Sequence, residues 1–263
     1  MDLRLQGKRA FISGSSQGIG FAVATALAAE GAEVVLNGRD AGRLDGAVQR
    51  LRAECPGAAV SGLAADFADA DAVARLIDDL GDVDILVNNV GLFGLAEFAA
   101  IDDEEWSRYL EVNLMSGVRL SRALLDGMLR RGWGRVVFVS SESGVNVPGD
   151  MVHYGVTKAA MLALANGLAK LTRGTAVTVN TVLGGPTYSE GVAASVEAIA
   201  RISGTSESEM REAIIGQNRT TLLERFIDPG EIANLVAYLA SPVASATNGA
   251  ALRADGGVLT GIL

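Results

Sequence analysis

The regular alternation of short apolar runs with longer helical patterns most constrains the fold of this chain. The runs RAFIS, EVVLN, VDILVNN, RVVFVSS and AVTVNTVL are rich in Val, Ile, Leu and Phe, and most of them precede a segment with helical periodicity. AVSGLAAD lies between the second and third of these runs and is the third predicted strand, so AVTVNTVL is the sixth, and GAALRADGG is the last. Strands that are apolar on both faces are typical of parallel sheets covered by helices, and right-handed crossovers between them give a doubly wound arrangement. The sequence therefore predicts an α/β fold with a parallel sheet and helices on both faces.

One segment departs from this alternation. Residues 184 to about 225 form a long connection between the sixth predicted strand and the last predicted helix, and SGTSESE lies in its middle. Connections of this length often act as lids over a site. No Pro- or Ser-rich linker divides the chain, so we expect a single domain over residues 1–263, with a helical lid at about 184–225.

The helical patterns have approximate bounds. They run from about Asp40 to Glu54, from about Asp69 to Leu80, from about Asp103 to Arg131 and from Tyr154 to Leu171. Arg130, Arg131 and Arg135 cluster near the end of the long third pattern. Cations are favourable at helix C-termini, so we expect these arginines to form a solvated helix end.

Charge and composition disfavour several classes of protein. With 22 basic and 31 acidic residues the net charge is −9, which argues against nucleic acid as the main partner. No apolar run reaches the length of a membrane span, and MDLRLQGKRAFISG lacks the apolar core of a signal peptide. We therefore expect a cytoplasmic protein that binds neither nucleic acid nor membrane, and we assign no metal ligands.

A glycine-rich loop, SGSSQGIG, follows the first predicted strand and opens the first predicted helix. Glycines let the backbone approach a pyrophosphate, and the N–H groups of a helix N-terminus point at its negative charge. A tight strand–helix turn would use glycines too, but the flanking strand and helix favour a dinucleotide site. The expected contacts in this loop are Gly14, Ser16, Gln17, Gly18, Ile19 and Gly20.

The end of the second strand, VVLNGRD, bears on the choice of dinucleotide. An acidic residue there would bind the adenosine ribose, whereas an arginine accommodates a 2′-phosphate. This chain has Gly38 followed by Arg39, which can make a charge-assisted contact with phosphate. NADP(H) is therefore preferred; NAD(H) stays open, because Arg39 could instead lie at the solvent edge beside Asp40.

Further motifs follow in a fixed order along the chain. They are GSSQGIG, Asp66 after the third strand, NNVG at 88–91, Asn113 in EVNLMSG, Ser141 in VSSESG, Tyr154-x-x-x-Lys158, NTVLGGPT and the terminal DGG. Over nearly its whole length the chain resembles the short-chain dehydrogenase/reductase family, in particular its 3-oxoacyl-acyl-carrier-protein reductase branch. This resemblance implies a Rossmann-type fold with one seven-stranded sheet, and a homotetramer.

The resemblance also implies further cofactor contacts. Asp66 would contact the adenine, and NNVG would pass under the adenosine–nicotinamide stretch. The expected contacts outside the glycine loop are Arg39, Asp66, Phe67, Asn89, Val90, Gly91, Tyr154, Lys158, Gly185 and Thr187.

The resemblance implies a catalytic set of four residues: Asn113, Ser141, Tyr154 and Lys158. Tyr154 and Lys158 are four apart and share a helix face. A neighbouring ammonium lowers a tyrosine pKa from its ordinary value of about 10, so Tyr154 can exchange a proton with a carbonyl or alcohol oxygen. Ser141 can orient that oxygen. The resemblance implies that Lys158 holds the nicotinamide ribose and that Asn113 anchors a water, although Asn113 could also mark a helix kink.

The remaining site residues are less constrained. His153, the only histidine, precedes Tyr154 by one, so their side chains diverge on a helix; we expect a packed or interface imidazole, with substrate contact as the alternative. The expected substrate contacts are Phe93, Ser141, Ser143 and Tyr188. Apolar residues at helical spacing in the lid suit a ketone or acyl chain better than a heavily hydroxylated sugar.

The function predicted from these residues is hydride transfer between NADP(H) and a carbonyl or secondary alcohol, with a 3-oxoacyl thioester among the candidate substrates. One alternative is an NAD-dependent secondary alcohol dehydrogenase. Another is a regulator that senses a dinucleotide without turning it over. The intact Ser141, Tyr154 and Lys158 set argues against a sensor, which has no need of it.

Overall fold

The computed structural model describes residues 2–218 and 220–262, and it contains the predicted parallel sheet. Its seven strands are β1 (Arg9–Ile12), β2 (Glu33–Gly38), β3 (Val60–Ala64), β4 (Ile85–Asn88), β5 (Trp133–Ser141), β6 (Ala176–Gly184) and β7 (Ala251–Ala254). Their spatial order is β3-β2-β1-β4-β5-β6-β7, and every pairing is parallel. The order reverses between β1 and β4, where a doubly wound sheet opens a crevice at the carboxyl ends of its strands.

Helices cover both faces of this sheet, as predicted. They are α1 (Gly18–Ala29), α2 (Ala41–Glu54), α3 (Ala70–Leu80), α4 (Asp103–Tyr109), α5 (Ser116–Arg131), α6 (Val152–Leu171), α7 (Glu190–Ser203), α8 (Glu207–Gln217) and α9 (Pro229–Ala240). One hydrophobic core packs α1, α2 and α9 on one face, and the other packs α3, α5 and α6 on the opposite face. Neighbouring strand residues alternate between the two cores: Val34 belongs to the first and Val35 to the second.

Side-chain caps explain why two helices begin where the sequence predicts. The Asp40 carboxylate accepts a hydrogen bond from the Arg43 amide at the start of α2. Asp69 accepts from the amides of Asp71 and Ala72 at the start of α3. Both aspartates stand one position before the helix, so each predicted first residue is the N-cap.

The long helical pattern from Asp103 to Arg131 is not one continuous α-helix. It divides into α4 and α5, and a π-helical turn at Leu110–Met115 joins them. Such a turn is wider than an α-helical turn and is frequent at functional sites. The apolar spacing of the sequence does not distinguish a π-helical turn from an α-helix, so the prediction of one helix was wrong here. Asn113 lies within the turn.

The predicted basic cluster is also divided. Arg130 and Arg131 lie exposed at the end of α5 and pair with Asp126 and Asp82. Arg135 instead lies in β5, where it is 1% exposed and its guanidinium donates to the carbonyls of Gly134, Ala176 and Ser241. Burial lowers its pKa. The expectation of a solvated Arg135 was wrong because three carbonyls replace its contacts with water.

The segment predicted as a lid contains two helices, α7 and α8. A parallel bridge between Thr187 and Ile227 joins its two ends to each other. Among residues 2–218 and 220–262, no helix has both the length and the apolar character needed to cross a bilayer. A lid function for this segment stays a prediction.

Candidate active site

A cleft of about 420 Å³ opens at the carboxyl ends of β1 to β5. The described residues that line it include segments of the glycine loop, of the ends of β2 and β3, and of the loop after β4. They are Gly14, Ser16, Gln17, Gly18, Ile19, Gly20, Asn37, Gly38, Arg39, Ala65, Asp66, Phe67, Ala68, Asn89, Val90, Gly91, Leu92, Phe93, Arg108, Val112, Val139, Ser140, Tyr154, Lys158, Ser189 and Gly191.

The glycine loop is closed tightly at its base and open toward the cleft. Gly14 has φ +61°, in the left-handed region that glycine adopts readily. A Cβ on Gly20 would stand 2.5 Å from the Asn89 amide nitrogen, which donates to the carbonyls of Ser13 and Gly14 at 3.0 and 2.8 Å. The N-terminus of α1 at Gly18 therefore faces the cleft over a fixed loop, an arrangement that fits a phosphate.

A carboxylate from the predicted lid already contacts this helix N-terminus. The Gly18 amide donates to Glu190 Oε2 at 2.8 Å, and Glu190 Oε1 lies 3.8 Å from Arg50 Nη1. Negative charge is favourable at a helix N-terminus, so Glu190 makes the contact that an anionic ligand would make. A pyrophosphate in this loop must therefore compete with Glu190.

The end of β2 presents no carboxylate to the cleft. Gly38 and Arg39 line it, and Arg39 is exposed. The next acidic residue, Asp40, uses its carboxylate to cap α2 and is not among the lining residues. This arrangement leaves the positive charge of Arg39 as the nearest fixed charge on that strand end.

Helix α6 brings two of the predicted catalytic residues to the cleft. The Lys158 ammonium lies 5.6 Å from the centre of the Tyr154 ring and donates to the Val139 carbonyl at 3.1 Å. Lys158 is only 5% exposed, and burial lowers its pKa to about 8, although the carboxylate of Glu142 acts in the opposite direction. Lys158 therefore begins to lose its proton only a little above neutral pH, far below the ordinary pKa of a lysine.

The pKa of Tyr154 is raised above its ordinary value, contrary to the expectation that Lys158 would lower it. Burial of the phenolate is the largest cause, and the Glu142 carboxylate and Tyr109 add to it. A hydrogen bond with Ser141 acts against this increase. The cost of removing the phenolate from water thus outweighs its stabilisation by neighbouring groups.

The side chain of Asn113 acts inside the protein rather than in the cleft. Its Oδ1 accepts from the Leu92 amide at 2.6 Å, and its Nδ2 donates to the Leu92 carbonyl and to Thr157 Oγ1, both at 3.0 Å. It is 1% exposed. Asn113 thereby ties the loop after β4 to α6, and Gly91 lies beside both Asn113 and the Lys158 ammonium.

At the end of β5, Ser141 is joined by a carboxylate that the sequence analysis did not assign. Ser141 Oγ donates to Glu142 Oε2 at 2.5 Å and accepts from the Ser143 amide at 3.1 Å. Ser143 Oγ donates to Glu142 Oε1 at 3.2 Å. The only available signal for Glu142 was its place in VSSESG, directly after the predicted catalytic serine.

Several other predicted residues do line the cleft. Phe93 is 53% exposed at its edge, and Asp66 is exposed with its Oδ1 accepting from the Ala68 amide. Val90 packs on Gly14. Phe67 also lines the cleft, but its side chain is 2% exposed and belongs to the core beneath.

The structure does not bring five predicted contacts to the lining of the cleft: Ser141, Ser143, Tyr188, Gly185 and Thr187. Ser143 is buried under Ser141 and Glu142. Tyr188 Oη donates to Glu207 at 2.5 Å, and its ring lies under Arg211 and against Phe226. Thr187 donates to the carbonyl of Gly185, whose own backbone packs on Asp255. These residues follow the right strands, but other contacts hold them. Ser143 is bound to Glu142 and Tyr188 to α8, and Thr187 is bound to Gly185, which packs at the end of β7.

His153 is a packed residue, which was the favoured expectation. It is 1% exposed, and its ring centre lies 4.0 Å from that of Tyr109 and 6.3 Å from that of Trp106. Among the described residues its Nδ1 has no hydrogen-bond partner. Its side chain does not line the cleft.

The lining also contains residues that sequence reasoning missed. They include Asn37, Leu92, Arg108, Val112, Ser189 and Gly191. Asn37 Oδ1 accepts from the Gly14 amide at 3.0 Å, so it helps fix the glycine loop. Arg108 is paired twice with Glu105. No motif marks these positions, because they reach the cleft through tertiary packing. No group of three or more potential metal ligands occurs within the described parts of the chain.

Comparison with known proteins supplies the context for this geometry. A family model described as short chain dehydrogenase matches residues 8–200. The uncharacterized oxidoreductase YvaG of Bacillus subtilis is 42% identical, covering 100% of both chains. The 3-oxoacyl-acyl-carrier-protein reductase FabG of Vibrio cholerae is 32% identical, covering 97% of this chain and 99% of its own length. The structure of L-sorbose reductase from Gluconobacter frateurii, complexed with NADPH and L-sorbose, has a TM-score of 0.94 at 32% identity, covering 100% of both chains.

Proposed function

The chain belongs to the short-chain dehydrogenase/reductase family, and on that basis we propose that it transfers a hydride between NADP(H) and a ketone or secondary alcohol. Membership makes it an oxidoreductase of carbonyl and alcohol groups. The observation that carries the proposal is that Tyr154 and Lys158 line one cleft with the glycine loop, and that Ser141 makes a hydrogen bond with Tyr154.

The residues present fit a nicotinamide dinucleotide. The loop over α1 accommodates a phosphate, and the Asn89-supported backbone lies beside it. Arg39 supports a 2′-phosphate, since the nearby Asp40 carboxylate is used as a helix cap. The NADPH in the L-sorbose reductase complex supports the same preference. NAD(H) is the alternative cofactor.

Once bound, the nicotinamide supplies or accepts the hydride. In reduction, the Tyr154 hydroxyl donates a proton to the carbonyl oxygen, while Ser141 orients that oxygen. Burial raises the pKa of Tyr154, so the phenol, the form that donates a proton in reduction, is the favoured form in this cleft. The Lys158 ammonium stabilises the phenolate that remains, and Asn113 holds the loop after β4 against α6.

Replacement of the proton donor tests this assignment. We expect Tyr154→Phe to lower kcat by a factor of about 100 to 10,000, the range for loss of a general acid, with little change in NADPH affinity. Absorbance of reduced nicotinamide measures turnover on a ketone panel. Tyr238→Phe on α9 is a matched control on the opposite side of the sheet. Retention of most activity in Tyr154→Phe would contradict the assignment.

Membership of the short-chain dehydrogenase/reductase family does not by itself identify the ketone that this chain reduces. A 3-oxoacyl thioester is the candidate suggested by similarity to FabG, and a sugar ketone is the candidate suggested by similarity to L-sorbose reductase. A sugar ketone carries a hydroxyl next to its carbonyl, whereas a 3-oxoacyl thioester does not. The Glu142 carboxylate at the end of β5 bears on this difference.

A homotetramer is proposed as the assembly, and one surface supports self-association. A depression of about 400 Å³ on α5 and α6 has a mainly apolar lining, and Leu171 is 64% exposed there. The lining residues are Val118, Leu125, Leu129, Leu164, Leu168 and Leu171, with Ser121, Arg122 and Asp126. Apolar surface of this kind is typical of interfaces. Molar mass from light scattering tests the assembly. The cytoplasmic location stays a prediction.

A further inference from the structure

The carboxylate of Glu142 takes no part in the proposed proton transfer. It is nevertheless bound to the Ser141 hydroxyl, which in turn makes a hydrogen bond with Tyr154. It accepts hydrogen bonds from Ser141 at 2.5 Å and from Ser143 at 3.2 Å, and its side chain is half-buried. Within residues 2–218 and 220–262, no basic side chain lies within 4.0 Å of it. An unpaired negative charge is therefore held at the edge of the reacting centre.

The hydrogen of the Ser141 hydroxyl is needed in two places. A serine hydroxyl has one hydrogen, and in the structure Ser141 gives it to Glu142. To orient a substrate carbonyl, Ser141 must turn that hydrogen to the carbonyl oxygen. Glu142 then loses a charge-assisted hydrogen bond, which is costly for a half-buried carboxylate unless another donor replaces it.

A hydroxyl on the substrate carbon next to the carbonyl is the donor best placed to replace it. Such a hydroxyl lies beside the carbonyl oxygen, just as Glu142 lies beside Ser141. We propose that Glu142 determines specificity by selecting neutral ketones that carry a hydroxyl next to the carbonyl, and vicinal diols in the reverse direction. This inference rests on the proposed function and names the substrate class of the same site.

Two other substrate types fit the carboxylate poorly. A plain ketone or a 3-oxoacyl thioester has no hydroxyl next to its ketone, so Glu142 would lose a donor when Ser141 turns. An anionic substrate would add a second negative charge near an unpaired one, which is unfavourable at short range. Glu142 thus favours a more polar substrate than the apolar residues of the lid segment suggest.

The test compares matched ketones in wild-type protein and Glu142 variants, with NADPH. Hydroxyacetone has the proposed donor, whereas methoxyacetone has a similar inductive effect and no donor. We expect wild-type kcat/KM to favour hydroxyacetone by at least about tenfold, the effect of one hydrogen bond to a charged group. In Glu142→Ala the ratio should fall to within about threefold of unity, and Glu142→Gln, which keeps an amide oxygen, should lie between.

A second comparison tests the charge. Wild-type protein should reduce the methyl ester of acetoacetate better than acetoacetate itself, and Glu142→Gln should narrow that difference. Glu104→Gln, which removes an exposed carboxylate on α4, should leave both ratios as in wild type. A purely structural role for Glu142 would lower stability without moving either ratio, so thermal unfolding is measured in parallel.

The outcomes separate the inference from the function on which it rests. Reduction of both ketones with the same ratio in wild type and in both Glu142 variants overturns the inference and leaves the proposed function standing. Failure of wild-type protein to turn over any ketone or alcohol overturns both. A ratio that falls in the Glu142 variants while the Glu104 variant matches wild type supports the inference.

Discussion

Replacement of Lys158 by Met should make the protein more stable at neutral pH, and the gain should disappear as the pH rises. Burial lowers the pKa of Lys158 from 10.5 to about 8. That difference corresponds to about 3 kcal/mol of destabilisation when the group is charged in both the folded and the unfolded states. Methionine removes the charge and keeps an unbranched apolar side chain.

The direction of the pH dependence follows from the sign of the shift. Below about pH 8 both states hold the proton, so the full cost is present. Between about pH 8 and 10.5 the unfolded chain binds a proton that folded Lys158 has released, and the stability of wild-type protein rises with pH. The advantage of Lys158→Met should therefore fall by about 3 kcal/mol across this interval. Loss of the hydrogen bond to Val139 offsets about 1 kcal/mol at every pH.

Urea unfolding followed by tryptophan fluorescence measures this difference at constant ionic strength. Lys170→Met is the control, because Lys170 is exposed on the same helix. We expect Lys158→Met to unfold at higher urea concentration than wild type near pH 7, by a net gain of about 2 kcal/mol, and at slightly lower concentration near pH 10.5, where only the lost hydrogen bond remains. Lys170→Met should follow wild type throughout. A difference between Lys158→Met and wild type that does not change with pH would refute the reasoning, since burial would then impose no cost on the charged form.

Three further predictions concern the cofactor. Arg39→Ala should raise KM for NADPH by about 10- to 100-fold, through loss of a charge-assisted contact, and leave KM for NADH nearly unchanged. Glu190→Gln should lower the Kd for NADPH by about two- to fivefold in calorimetric titration, because it removes a negative charge at the N-terminus of α1. Gly20→Ala should greatly weaken NADPH binding in the same titration, because its Cβ would stand 2.5 Å from the Asn89 amide nitrogen.

Each of these predictions has a contradicting result. Equal increases in KM for NADPH and NADH would show that Arg39 does not read the 2′-phosphate. Unchanged or weaker NADPH binding in Glu190→Gln would mean that its carboxylate does not compete with the pyrophosphate. Wild-type affinity in Gly20→Ala would mean that the loop shifts to admit a methyl group without losing its form.

Local and periodic features of the fold were determined by the sequence. Runs that are apolar on both faces require a sheet with two covered faces, and each of these strands appears in the sheet. Asp40 and Asp69 were enough to set two helix starts, because an N-cap acts on amides only two or three residues away. The four-residue spacing of Tyr154 and Lys158 likewise predicted their common helix face.

The tertiary structure alone decided the electrostatics of the site. The sequence places Lys158 near Tyr154 but does not indicate how deeply the Tyr154 hydroxyl is buried. The raised pKa of Tyr154, whose largest cause is burial, was therefore not predicted. The contact between Glu190 and Gly18 joins residues 172 positions apart. The burial of Arg135 depends on the carbonyl of Ser241, 106 positions away.

The same limit explains which site residues were missed or misplaced. Tyr188 follows the right strand, but Glu207 and Arg211 on α8 hold its side chain away from the lining of the cleft. Glu142 directly follows Ser141 in the sequence, but only the 2.5 Å contact in the folded chain shows that the Ser141 hydroxyl donates its hydrogen to the Glu142 carboxylate. Spacing and composition determine which elements form and which faces they bury. Charge, desolvation and hydrogen-bond partners depend on distances between remote residues, and those distances exist only in the folded chain.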